Sequence, residues 1–326
     1  MLFSSVNSDY NNDLHSWKEI ERQIANIAKA GFTHTQWIHD WEGEYLYSPS
    51  EMFQARDLLR GYGIKAHTIH ASEGGVRTKW IDGRKVFRNG ERFEEIRKDY
   101  TSSNEYTRLA GVDLLKNRVD LCSHIGAGAM VLHMQLPWRW FAQDPAHKEE
   151  YFRQVYKSFD ELEPYARAAG VKVALENLIV TPWQLQDEQF ERLFDRYDPE
   201  FLGFTYDSGH ATLQCCHDYY YFLRKYHSRL YAVHLQENHS IDPEMNNDDV
   251  EVLAHDSHWV PMDPRGGLID WEEIAKWIAR SPLDLPPDFE VGIYGDTPEE
   301  EFRQLVECRK TAEKFYQMVL AHKEKG

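Results

Sequence analysis

Short apolar runs alternate with longer amphipathic segments along the whole chain. The run Leu2–Val6 predicts a first strand. Apolar residues at Trp17, Ile20, Ile24, Ile27 and Ala28 then recur at helical spacing, and Gly31 follows as a natural helix C-cap. The alternation repeats. Further strands are predicted over Phe32–Ile38, Ile64–His70 and Ala129–His133, in the runs ending at Glu176, Asp207 and His234, and over Phe289–Ile293. Helices are predicted over Ser50–Arg60, Glu105–Ile125, Lys148–Ala169, Leu185–Tyr197 and Thr212–His227, with two more opened by Asp270 and by Thr297–Pro298. Eight strands, each followed by a helix, are the count of a closed parallel barrel, so the fold class expected is α/β, a (β/α)8 TIM barrel.

Two stretches break the rhythm, Ala71–Asn104 after the third strand and Gln236–Leu268 after the seventh. Connections this long in a compact domain are functional or disordered. The first is read as a lid carrying Arg77, Lys79, Trp80, Arg84, Lys85 and Arg88, against the ordinary alternative of a solvated loop. No linker, short repeat or low-complexity tract marks a boundary. The expectation is one barrel domain over residues 1–326, with 71–104 and 236–268 inserted over its C-terminal face.

The strand ends carry the chemistry. Phe204-Thr-Tyr-Asp207-Ser-Gly-His210 places a carboxylate at the mouth of a strand and an imidazole on the next turn, and other predicted strands bring His70, His133, Glu176, His234 and Glu290. In a barrel such residues converge on one face. Each has a structural alternative: Asp207 caps the following helix, a strand-ending His is hydrogen-bonded in the core, Glu176 is a paired core acid. Together they are harder to explain that way, because several buried carboxylates repel one another unless a cation lies among them. A divalent ion, Mn, Mg, Co or Zn, resolves the conflict. Two carboxylates beside a substrate whose hydroxyl and carbonyl oxygens a metal holds can also take up and return a proton at the carbon between them, which is isomerase or epimerase chemistry.

Composition narrows the field. A content of 42% hydrophobic and 28% charged residues fits a globular chain, and no run approaches the roughly 18–20 apolar residues of a membrane span. The N-terminus lacks a basic region followed by an apolar core, so a cytoplasmic, membrane-free protein is expected. Four cysteines without a CxxC argue against a disulfide framework or a thiolate zinc site. The net charge of −17 disfavours nucleic acid as a partner, and no glycine-rich phosphate loop follows the first strand. A carbohydrate partner fits better. Trp37, Trp138, Trp140 and Trp183 near strand ends suit stacking on a sugar or, equally, core packing. Arg77, Lys79, Arg139 and Arg265 suit an anionic group on the substrate or simply solvent. The oligomeric state is open, a homo-oligomer included.

Gly31-Phe32, Gly63-Ile-Lys-Ala-His67, Leu115-Lys-Asn-Arg-Val-Asp-Leu121, Gly170 to Asn177, Asp207-Ser-Gly-His210, Val233-His-Leu235 and Gly267-Leu-Ile-Asp-Trp271 resemble the xylose-isomerase-like barrel superfamily. This superfamily groups sugar phosphate isomerases and epimerases, ketose 3-epimerases, inosose-processing enzymes and the endonuclease IV type of AP endonuclease. The resemblance implies one divalent metal on Glu176, Asp207, His234 and Glu290, with Glu176 and Glu290 also as the catalytic acid/base pair and His210 against the substrate. One departure is Ser240, where the ketose epimerases place an Arg. The endonuclease IV branch implies instead a trinuclear zinc site acting on abasic DNA. This chain has a candidate for each of its ligands: His70, His133, Glu176, Asp207, His210, His234, Asp256, His258 and Glu290. Sugar isomerisation or epimerisation is the leading expectation, with that phosphodiesterase and a non-catalytic sugar-binding barrel as alternatives. His70, His133, His210, Asp256 and His258 then serve as substrate contacts or additional ligands, and Trp37, Trp138 and Arg139 as further substrate contacts.

Overall fold

The computed structural model describes residues 2–11, 16–76, 78–81, 84–87, 90–92, 94, 96–179, 181–214, 218–239 and 257–324. In chain order its first half runs β1 (Ser5–Asn7), α1 (Trp17–Ala30), β2 (His34–Trp37), α2 (Pro49–Tyr62), β3 (Lys65–Ala71), β4 (Thr78–Ile81), β5 (Arg84–Phe87), α3 (Glu105–Ile125), β6 (Ala129–Leu132), α4 (Trp138–Phe141) and α5 (Pro145–Ala169). The second half adds β7 (Lys172–Glu176), α6 (Trp183–Arg196), β8 (Leu202–Asp207), α7 (Ser208–Leu213), α8 (Tyr221–Tyr226), β9 (Leu230–His234), α9 (Trp271–Ile278), β10 (Asp288–Phe289) and α10 (Pro298–Lys323). Eight of the strands form one parallel sheet in the order β10-β1-β2-β3-β6-β7-β8-β9. Leu235 closes it: its N–H donates to Asp288 O at 2.8 Å and its carbonyl accepts from Glu290 N–H at 3.2 Å, joining β9 to β10. The molecule is a (β/α)8 TIM barrel.

Local sequence explains most of these elements. Ser16 caps α1 by accepting from Glu19 N–H, and Ser48 with Glu51 forms a reciprocal capping box on α2. Ile20, Ile24 and Ile27 form the inward face of α1 and are buried, worth about 1.5–3 kcal/mol each. Every residue of β6 is buried, as expected for a parallel strand with the core on one face and helices on the other. A charge placed at Val131, which is fully buried, would break that layer.

Three expectations change. The last strand is predicted to run to Ile293, yet the ladder stops at Phe289, because the following amides bond to loops instead. Val291 N–H donates to Asn7 Oδ1, Gly292 N–H to His258 O and Ile293 N–H to Tyr10 O. The helix expected over Thr212–His227 is split into α7 and α8, since Asp207 starts a helix at once and it ends at Gln214. The insertion after β3 is not a bare loop but contains the antiparallel hairpin β4–β5. Arg77, Arg88, Ser240, Asp256, Cys215 and Cys216 lie outside the described residues. Cys122 and Cys308 are buried free thiols, and no described helix is long and apolar enough to cross a membrane.

The pair Asn117-Arg118 positions the mouth of the barrel from behind. Arg118, fully buried in α3, donates to the carbonyls of Asp40 and Tyr45 at 3.0 Å each, while Asn117 exchanges two hydrogen bonds with the backbone of Tyr47. These bonds hold the β2–α2 connection, and with it Trp41, against the strand ends.

Candidate metal centre

Parallel strand order brings the strand ends to one face of the barrel. Asp207 pairs with His234, and Glu176 pairs with Thr205, two residues before Asp207, so side chains from the ends of β7, β8 and β9 emerge on the same face. One ligand atom from each of Glu176, Asp207, His234 and Glu290 lies within 4.8 Å of the others. The first three side chains are fully buried and that of Glu290 is 12% exposed. His70, His133 and Glu176 form a second such group, and His70, His234 and Glu290 a third.

The close contacts are unusual in kind. His133 Nε2 lies 2.7 Å from Glu176 Oε2, His210 Nδ1 2.9 Å and His234 Nδ1 3.2 Å from Glu176 Oε1, and His234 Nδ1 2.7 Å from Glu290 Oε2. These are ion-pair distances. Yet both oxygens of Glu176, Oε2 of Glu290 and Nδ1 of His234 have no hydrogen bond of acceptable direction. Such atoms face a shared space more than they face one another. Buried acceptors left this way are costly, and oxygen and imidazole nitrogen without thiolate is the donor set of a divalent ion. The residues present therefore fit a metal.

Protonation follows the crowding. Burial alone would raise the pKa of Glu176, but the charges of His133 and His234 outweigh it and hold this acid well below the usual carboxylate range. Glu290 is likewise held down against burial by His234. Asp207 moves the other way: burial raises it, and Glu176 and Glu290 add to the rise against the pull of His210. His234 is held well above its usual value by Glu176 and Glu290 despite burial. Three carboxylates thus compete for the same positive charge.

Surrounding groups fix the orientation. Asp207 Oδ1 accepts His210 N–H at 2.7 Å, so this residue caps α7 and borders the cluster at once. Asn177 donates to Asp207 O and accepts from Asp207 N–H, both at 2.9 Å, and its own carbonyl lies 3.0 Å from His210 Nδ1. His70 and His133 sit against Trp41, with ring centroids 5.0 and 5.5 Å away.

The predicted residues divide accordingly. Glu176, Asp207, His234, Glu290, His70, His133 and His210 come together. His258 takes a left-handed backbone (φ 64°) at the mouth, where the residue is exposed. Asp256 lies outside the described residues. Trp37 corrects its expectation: it is fully buried, T-shaped against His39, and gives its indole N–H to Tyr47, so it has no surface for a sugar. Trp138 and Arg139 sit on α4, the guanidinium 4.5 Å over the indole ring, and Arg139 N–H donates to Gly90 O in the insertion. Trp140 stacks on His147 and Trp183 meets Tyr221. Sequence reasoning missed Trp41, Asn177 and Gln236. Asn177 had a signal in its place beside Glu176; the other two had none.

The family model described as Xylose isomerase-like TIM barrel matches residues 24–312. The chain belongs to this family. Its relatives include y4fM, an uncharacterised protein of Sinorhizobium fredii (strain NBRC 101917 / NGR234), 31% identical over 83% of this chain and 80% of that one. Inosose dehydratase 2 of Bacillus cereus is 25% identical over 43% of this chain and 47% of its own, so the match spans about half of that enzyme. Among solved structures, D-psicose 3-epimerase in the presence of D-fructose superposes with a TM-score of 0.64 at 14% identity. The match covers 98% of this chain and 99% of that one, and shows a shared xylose isomerase-like fold.

Proposed function

We propose that this protein is a divalent-metal-dependent isomerase or epimerase of a sugar or sugar derivative, built as one barrel domain with the connections 71–104 and 236–268 over its mouth. The observation that carries the reading is the convergence of Glu176, Asp207, His234 and Glu290 within 4.8 Å, with both carboxylate oxygens of Glu176 and Oε2 of Glu290 unspent on hydrogen bonds. The sugar chemistry of the epimerase and dehydratase relatives supports it.

Glu176, Asp207, His234 and Glu290 would hold the ion. When bound, the ion would polarise the C–H bond next to a carbonyl that it holds. Glu176 and Glu290 border the same small volume, so one can take a proton from that carbon and the other return one. His70, His133 and His210 offer ring nitrogens to sugar hydroxyls, and Trp41 closes the imidazole side with an apolar face. With Mn2+ and a panel of ketoses in D2O, deuterium is expected in the product at the carbon beside the carbonyl, and Glu176→Gln or Glu290→Gln should slow the exchange on the order of 10²–10⁴-fold. No exchange with any ketose would count against the proposal.

A second reading has its own observation. The group His70, His133 and Glu176 shares Glu176 with the first, as a centre of several ions would require. Elemental analysis separates the readings at one or three ions per chain, and cleavage of a duplex with a tetrahydrofuran abasic site would favour the phosphodiesterase, against a net charge of −17.

A further inference from the structure

Gln236 lies two residues beyond His234 and is fully buried. Both ends of its side-chain amide are used. Nε2 donates to Asp207 Oδ2 at 2.9 Å, and Oε1 accepts the backbone N–H of His258 at 3.0 Å. Its backbone is held as firmly: Gln236 N–H donates to Ser208 Oγ at 2.9 Å, and that hydroxyl donates to Gln236 O at 2.8 Å. Gly209 completes the seat. A Cβ there would lie 2.4 Å from the amide carbon of Gln236, so a larger residue would push the amide off Asp207.

His258 is tied from the other side too. Its carbonyl accepts Gly292 N–H at 3.1 Å, two residues past Glu290. Its left-handed backbone, unfavourable for a residue with a Cβ, is therefore kept by two hydrogen bonds, each leading to a strand end that carries an acid of the cluster. With Oδ1 of Asp207 given to His210 N–H and Oδ2 to Gln236, both carboxylate oxygens have a set direction. The amide supplies this direction without a charge. An Arg or Lys in its place would neutralise Asp207 and reduce its hold on a cation.

We propose that Gln236 is a positioning residue that couples the orientation of the Asp207 carboxylate to the placement of His258 at the mouth, so that a cation on Asp207 and the segment carrying His258 are set together. The inference rests on Asp207 as a metal ligand, and the experiment separates the two. The full-length protein and its Asp207→Asn, Gln236→Met and Gln236→Glu variants are titrated with Mn2+. Their Co2+ forms are compared by visible absorption, and hydrogen exchange is followed in the peptide containing His258. Gln236→Met keeps the volume and removes both bonds. It is expected to weaken Mn2+ binding about tenfold or more, change the Co2+ spectrum and abolish Mn2+-dependent protection of that peptide. Gln236→Glu keeps the acceptor for His258 N–H but turns an oxygen toward Asp207. It should keep the protection that does not depend on metal, lose the Mn2+-dependent part and raise the pH midpoint of Mn2+ loading, because adjacent carboxyl groups share a proton. If Asp207→Asn loses Mn2+ while the Gln236 variants match the wild type in affinity, spectrum and protection, the coupling is overturned and the ligand stands. If Asp207→Asn binds Mn2+ like the wild type, the ligand reading fails and takes the coupling with it. Should Gln236→Met fail to fold, Gln236→Glu decides alone.

Discussion

Glu176 and Glu237 are both buried glutamates near the end of a strand or just past one, and they live in opposite surroundings. The carboxylate of Glu237 is fully engaged: Oε1 accepts Leu268 N–H at 3.1 Å and Ile269 N–H at 3.3 Å, and Oε2 accepts the Trp271 indole N–H at 2.6 Å. Gly267 must be glycine there, since a Cβ would lie 2.1 Å from the carboxylate carbon. Glu237 therefore pins the end of the second long connection to the barrel. Glu176 is just as buried, has imidazoles at ion-pair distance, and has neither oxygen in a well-directed hydrogen bond. A buried acid by itself is thus no sign of function. An acid whose oxygens are left unspent among other ligand atoms is.

The contrast can be tested by separating stability from metal binding. Glu237→Ala strands two buried donors, Ile269 N–H and the Trp271 indole N–H, while Leu268 N–H keeps its bond to Asn238 O, and it is expected to cost about 2 kcal/mol or more in urea unfolding, with or without Mn2+. An equal loss at Glu176 but none at Glu237 would invert the comparison. Mn2+ at a hundred times its Kd should stabilise the wild type by about 2.7 kcal/mol. Glu176→Gln should remove this increment, while Glu237→Gln keeps most of it, as thermal melts with and without chelator would show.

A third buried acid sharpens the picture. Asp288 lies two residues before Glu290, hydrogen-bonded by the Ser5 and Thr68 hydroxyls, and burial raises its pKa from 3.8 to about 7. The unfolded chain therefore loses this proton first. The contribution of Asp288 to stability falls as pH rises from about 4 to about 7 and then levels off. Asp288→Asn should gain roughly 1 kcal/mol on the wild type per pH unit across that window, measured by unfolding at several pH values. A constant difference would mean that the acid is ionised throughout.

Much of the barrel is legible in the chain because its signals are local. Ser48 and Glu51 cap a helix within one turn, and Ala129–Leu132 reads as a buried strand because both faces are covered. The ligand candidates are legible for a related reason: Glu176, Asp207 and His234 each end a strand that can be located from its own residues. What stayed hidden depends on distant partners. Trp37 and Trp41 are four positions apart, and nothing nearby in the chain tells which ring packs in the core and which faces His70 and His133. Gln236 reads as an ordinary polar residue after a strand until Gly209 and His258 are placed beside it.

Taken alone, the amino-acid order determined the alternation of elements and which residues could bear charge at the strand ends, because capping, periodicity and strand burial act over a few neighbouring positions. Only the closed barrel decided which of those charges is used up. The groups that satisfy Glu237 come from Leu268, Ile269 and Trp271, and those that crowd Glu176 from His133, His210 and His234. Hydrogen bonds and Coulomb forces between such distant residues act only once closure has brought them within a few ångströms.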